Sequence, residues 1–274
     1  MIEQIEIYSV EELTKHLNGL GNHYIYRGQA NAAWTLTSTL ERLLGGSWSR
    51  DGAHRFEQYS LGQFKSKLHL YNRDNHSPRT TLAWLSAMQH YGVPTRLLDF
   101  TESPYVALYF ALESYSNHST DDFAVYALDY RKLMDRSTKY LESQDATFSE
   151  TSVSLYEKRD ELFEKIVSRF NYQIAWVTEP IEMNARLDRQ AGSFLLSANH
   201  NLRIEQVLEL PIYEGVSVCK YRIANALYTG LFSLLKKMNI TSKSLYGDLD
   251  GLGRSIRMEM QAYAAPSESS SSCL

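Results

Sequence analysis

The chain has only two cysteines in 274 residues, Cys219 and Cys273, far apart, with the second in a serine-rich tail. That spacing offers neither a disulfide framework nor a cysteine-bound metal, and it fits a reducing compartment. No run approaches eighteen apolar residues, so no membrane contact is expected. The opening MIEQIEIYSVEEL carries acids where a secretory leader carries lysine or arginine, which makes the expected address cytoplasmic. A net charge of −4 gives no global basic field for nucleic acid, although a local basic groove stays open. GxGxxG, Walker, HExxH, CxxC and Gly-x-Ser-x-Gly patterns are all missing, which removes the common dinucleotide, triphosphate, zinc and nucleophile-elbow signatures. The eight histidines do not cluster at ligand spacing, so no metal is expected. There is no internal repeat, and no Pro/Gly/Ser-rich linker before the tail.

What is present is an ordinary globular composition, 43% hydrophobic and 22% charged, on a chain long enough to bury a substantial core. Residues 2–8 alternate as a strand, and Ser9 with Glu12 sets a capping box for a helix over 10–18. His23–Gly28 is a β-type run, and the spacing over 54–71 and 80–90 is helical. Leu97–Phe100 is a short buried strand, Ser103-Pro104 starts a helix with core positions Val106, Ala107, Phe110 and Ala111, and Phe123–Leu128 is the next strand. Residues 131–170 read as a helical insertion with a loop near Ser143–Thr151. Strands IAWV, SFLLSA and EQVLELPI follow, then a helix over Ala224–Met238 and a turn over Asp248–Gly253. The low-complexity tail SESSSSCL is expected to be disordered. The reading is one α+β domain with surrounding helices, ordered as an N-terminal strand and helix (1–19), a main region (20–215), a C-terminal helical segment (216–263) and the tail (264–274).

Three polar clusters sit at the edges of apolar segments. Tyr26-Arg27-Gly28-Gln29 places a guanidinium fork, suited to phosphate, beside a glycine that lets a ligand approach the backbone. A surface arginine in a strand-end salt bridge is the plainer alternative. In the central block, Thr101 and Ser103 flank a strand-to-helix turn whose free N–H groups suit a ribose, amide or phosphate, or Ser103 simply caps the helix. Gln89, His90, Arg96 and Asp99 surround Gly92-Val93-Pro94. His90 with Asp99 could form an acid/base pair, or Asp99 could be buried against Arg96 to hold the turn. Gln190-Ala191-Gly192-Ser193-Phe194 supplies an amide that can orient a ligand but cannot act as a base.

Taken together, YRGQ at 26–29, QHYGVPTRLLDFTESPYVALYFA at 89–111 and RQAGSF at 189–194 resemble the FRG domain, over roughly residues 20–215, and the later NITSKSLYGDLDGLGRSI resembles the segment that ends many FRG proteins. A more distant resemblance is to ADP-ribosyltransferases of the arginine-first class. It implies an ADP-ribosyltransferase-like mixed sheet core that uses NAD as substrate. Tyr26, Arg27, Gly28 and Gln29 would bind the phosphates, Thr101 and Ser103 would support the nicotinamide ribose, and VALYFA would be the following helix. Gln190 stands near the place of the late catalytic Glu, so the resemblance departs there, and Asp188, Glu179 or Glu182 is expected to supply the carboxylate unless the site acts through His90 and Asp99. The implied function is transfer of ADP-ribose to a protein or nucleic acid by a toxin or phage-defence effector. The alternatives are a non-catalytic module sensing a nucleotide or nucleic-acid end, and a protein-interaction partner in a toxin–antitoxin or defence complex.

Overall fold

The computed structural model describes residues 2–71, 77–116, 118–199 and 201–265, so the expected disordered tail, with Cys273, lies outside them except for its first two positions. Seven strands form one mixed sheet: β1 (Glu3–Ile7), β2 (Tyr24–Gln29), β3 (Leu98–Thr101), β4 (Phe123–Asp129), β5 (Ala175–Thr178), β6 (Gly192–Ser197) and β7 (Val218–Ile223). Their order across the sheet is β1-β7-β4-β2-β3-β6-β5. Only β1 with β7 is parallel; the other neighbours are antiparallel.

The helices, in chain order, are α1 (Val10–Gly19), α2 (Thr39–Leu44), α3 (Arg50–Tyr71), α4 (Thr81–His90), α5 (Pro104–Leu112), α6 (Tyr130–Gln144), α7 (Ser152–Glu157), α8 (Arg159–Leu162), α9 (Ala185–Arg189), α10 (Ile204–Leu208), α11 (Tyr228–Lys237), α12 (Ser242–Tyr246) and α13 (Leu249–Ala264). A π-helical turn, Phe163–Val167, follows α8. No helix among the described residues is long and apolar enough to cross a membrane.

Period-two alternation sorts the sheet's side chains onto two faces. Val125, Ala127, Tyr221 and Ile223 pack with Leu108 and Leu112 of α5 and Leu231 and Leu235 of α11. Ala124, Tyr126 and Leu128 pack on the other face with Leu133 of α6 and Val207 of α10. A separate cluster serves the β6–β5 wing, where Leu82, Leu85 and Met88 of α4 meet Phe194, Leu196 and Trp176. On the face that carries α5 the two wings are thus backed by different helices, α5 and α11 on one and α4 on the other, whereas α6 and α10 on the opposite face belong to a cluster that spans both.

The junction between β2 and β3 is thin. β2 and β3 share a single registered pair, Tyr26 with Thr101, whereas β2 pairs with β4 along its whole length.

Three expectations from the sequence are corrected. EQVLELPI is helix α10 followed by a 3₁₀ turn, because Ile204, Val207 and Leu208 recur at helical spacing and all three are buried. Val218–Ile223, placed in a helical segment, is strand β7, inserted between β1 and β4. Asp248–Gly253 is no terminal turn: Asp248 accepts from the Gly251 N–H and caps the sixteen-residue α13.

Candidate functional site

A cavity of about 360 Å³ opens where β2 and β3 cease to pair. Its floor is Tyr26, Arg27 and Gly28 on one side and Asp99, Phe100 and Thr101 on the other. Gln89 and His90 come from the end of α4, Phe110 and Glu113 from the α5 side, Arg186 and Gln190 from α9 and its C-cap, and Tyr246 and Arg254 from the C-terminal helices. The three sequence clusters therefore meet in one place.

Arg27 alternates to the opposite face from Tyr26 and Gly28, yet it lines the same cavity because the sheet is open beside it. Its Nη1 donates to the Asp99 carbonyl at 2.7 Å, replacing a ladder hydrogen bond with a side-chain one. Its Nε is buried without a hydrogen-bond partner. Burial lowers the Arg27 pKa, and the Asp99 carboxylate opposes that shift. An arginine stays charged through such a shift, so the site holds a cation with a spare donor. Burial also pushes the Tyr26 phenol up to about 12, so it remains a neutral hydroxyl.

Two further guanidiniums line the cavity. Arg186 and Arg254 both lie over the Tyr246 ring, at 4.5 and 4.8 Å from its centre. Arg254 is committed to Glu113 (2.9 Å) and Asp250 (2.8 Å). Arg186 has no carboxylate within ion-pair distance among the described residues. Near it, His90 has its pKa lowered by burial and then by the Arg186 charge, with Asp248 opposing. The imidazole is therefore neutral near pH 7.

The carboxylates expected from the sequence are elsewhere. Glu182 faces Arg79 at 3.4 Å, Glu179 pairs with Arg159 at 3.3 Å on the far side of the sheet, and Asp188 does not line the cavity. Asp99 and Glu113 occupy it instead. Asp99 is exposed rather than buried, and its Oδ2 accepts from Gln89 Nε2 at 2.9 Å. Its expected partner Arg96 is buried against Glu57 at 3.0 Å and over the Phe163 and Phe170 rings. Glu113 Oε1 collects three donors, Tyr109 Oη at 3.1 Å, Tyr246 Oη at 2.7 Å and Arg254 Nη1 at 2.9 Å.

The remaining predicted site residues divide. Thr101, at the floor, donates from Oγ1 to the Gln190 carbonyl at 2.6 Å and accepts from the Ser103 N–H at 3.1 Å, so it joins the central block to the RQAGSF cluster. Ser103 caps α5 through the Val106 N–H and is not part of the cavity lining. The Gln29 amide turns away and donates to the Thr35 carbonyl at 3.0 Å. Gly28 has a packing reason: a Cβ there would stand 1.8 Å from the Ala107 carbonyl oxygen of α5, so glycine admits the helix backbone. Gln190 reaches the Leu245 carbonyl at 3.5 Å, and Arg189 donates to the Tyr246 carbonyl at 2.8 Å. Those bonds dock α12 on the site. Glu113, Tyr246 and Arg254 escaped the sequence reading. The signal for two of them lay in the terminal SLYGDLDGLGR segment, which carries Tyr246 and Arg254.

Chemically, the cavity offers planar donors for anions, an aromatic face at partly buried Phe110, and two carboxylates. Among the described residues no group of three or more His, Cys, Asp or Glu could hold a metal ion.

Comparison with known families bears on the expected resemblance to the FRG domain. Residues 22–120 match the FRG domain, a span that holds the YRGQ cluster and the whole central block but not RQAGSF. No curated protein and no solved structure matches the chain.

Proposed function

With an FRG domain at residues 22–120 as the premise, we propose that the cavity binds a nucleotide diphosphate, with NAD as substrate, and that the protein is an ADP-ribosyltransferase-like effector acting on a protein or nucleic-acid acceptor. The observation that carries the reading is the meeting of Arg27, Thr101 and Gln190 around one opening in the sheet, with Asp99 and Glu113 inside it. In this reading Arg27, with its unpartnered Nε, and the uncommitted Arg186 hold the two phosphates. Partly buried Phe110 gives a flat face for a base or nicotinamide ring.

The step is dissociative: the ribose C1–nitrogen bond breaks, its electron pair leaves with nicotinamide, and the acceptor nucleophile bonds to C1 while losing a proton. Electrostatic stabilisation of the ribose cation is the main contribution the protein can make. Asp99 is the better placed carboxylate, since it is exposed and accepts from the Gln89 amide, whereas Glu113 is buried and gathers three donors on one oxygen. Neutral His90 is positioned to take the acceptor's proton.

A second reading, nucleotide sensing without turnover, is supported by the same engagement of Glu113 by three donors. Incubation with labelled NAD and cell lysate separates the two. Transfer is expected to deposit label on a macromolecule and to vanish in Asp99→Asn; sensing leaves NAD intact and still shows saturable binding. Absence of both label transfer and binding removes the proposal.

A further inference from the structure

A second, larger cavity, about 1170 Å³, lies on the opposite face of the sheet beneath α6 and α7 and shares no lining residue with the first. The same strands build both. Ile25 faces the second cavity where Tyr26 faces the first, Glu102 follows Thr101, and Ser193 sits between Gly192 and Phe194.

The end of this cavity at β6 is built from acceptors. Ser193 is 5% exposed, lines the space, and its Oγ is buried with no hydrogen-bond partner. A buried hydroxyl left unsatisfied costs about 1–3 kcal/mol, so it is not an idle feature of the core. Glu102 lies diagonally from Ser193, two positions beyond that residue's registered partner Phe100, its backbone N–H donating to the Ala191 carbonyl at 3.0 Å. The Glu102 carboxylate has no ion-pair partner among the described residues. Glu179 adds a third acceptor; burial raises its pKa, and neighbouring Glu102 pushes the same way. Arg159 answers Glu179 alone, at 3.3 Å.

Several of the other charges on the lining compensate one another or lie at the other end. Asp135 binds Lys139 at 2.9 Å, and Glu150 binds Lys158 at 3.2 Å. Arg131 and Lys132 stand at the start of α6 after β4, three strands from β6, a separation of about 14 Å at ordinary strand spacing. The wall between the ends is apolar, with Ile25, Met134, Leu155 and Trp176.

We propose that this cavity is a second binding site, for a primary ammonium on an aliphatic stem, with the cation held by Glu102, Glu179 and Ser193 Oγ. An ammonium brings three donors and no acceptor, the complement of that end, and a methylene stem suits the apolar wall. A lysine side chain of a partner protein and a free polyamine share this chemistry. The site does not depend on what the first cavity binds.

The test is calorimetric titration of the full chain with spermidine and with Nα-acetyl-lysine amide, whose side-chain ammonium is free, repeated on Glu102→Gln, Ser193→Val and Arg27→Ala. At least one ligand is expected to bind saturably, about tenfold or more weaker in Glu102→Gln and Ser193→Val and unchanged in Arg27→Ala. The tighter of the two ligands identifies the source. Exposed Glu102 can be replaced without loss of fold, which circular dichroism checks. No saturable binding of either cation, or equal affinity in wild type and Glu102→Gln, overturns the proposal.

Discussion

Arg27 Nη1 donates to the Asp99 carbonyl at 2.7 Å across the opening where β2 and β3 stop pairing. This one bond fixes the guanidinium at the cavity while leaving its Nε unsatisfied. Arg27→Lys keeps the charge but loses the planar fork. Affinity for ADP-ribose is expected to drop about tenfold, measured by calorimetry.

Glu113 is the hub between α5 and the C-terminal helices. Glu113→Ala leaves two tyrosine hydroxyls and Arg254 without their shared acceptor, and is expected to cost about 2–3 kcal/mol in chemical denaturation. Asp99→Asn, at an exposed carboxylate, is expected to leave stability within about 0.5 kcal/mol and to remove turnover.

His90 carries a pH signature. Its folded pKa lies below the ordinary 6.5, so the unfolded chain takes up a proton first as pH falls. Its contribution to stability is complete above 6.5 and is lost as pH drops through the folded value. Anionic ligands act in the reverse sense, since protonated His90 adds a positive charge to the cavity. Nucleotide affinity is therefore expected to rise below pH 6.5 in wild type, and His90→Gln flattens that rise in titrations from pH 7.5 to 5.

Gly28 tests packing apart from binding. A Cβ at 1.8 Å from the Ala107 oxygen and 2.6 Å from the Ala111 nitrogen forces α5 away from β2. Gly28→Ala is expected to cost about 3 kcal/mol, read as a lowered unfolding midpoint; an unchanged midpoint contradicts that account of the glycine.

The central block was legible because its signals are local. A four-residue apolar strand followed by Ser-Pro can only be a buried strand meeting a capped helix, and Ser103 does cap α5. Val218–Ile223 alternates as well, Lys220 and Arg222 interrupting buried positions, but it is short and lies between the helical segments α10 and α11, so local pattern alone does not separate it from them. Partnerships at long range were not legible. Arg96, in the bend before β3, pairs with Glu57 on α3 rather than with Asp99 three positions away, which accepts from Gln89 instead. Glu113 became a site residue only because α12 and α13 fold back over α5, a contact set by Arg189 and Gln190 donating to the Tyr246 and Leu245 carbonyls.

The central claim is that the opening between β2 and β3 is a nucleotide site organised by Arg27. Calorimetric titration of NAD and ADP-ribose into the wild-type chain and into Arg27→Ala tests it most directly. The account predicts saturable binding to wild type, weakened about 10- to 100-fold in Arg27→Ala with the unfolding midpoint little changed. No binding to wild type, or equal binding to both chains, contradicts it.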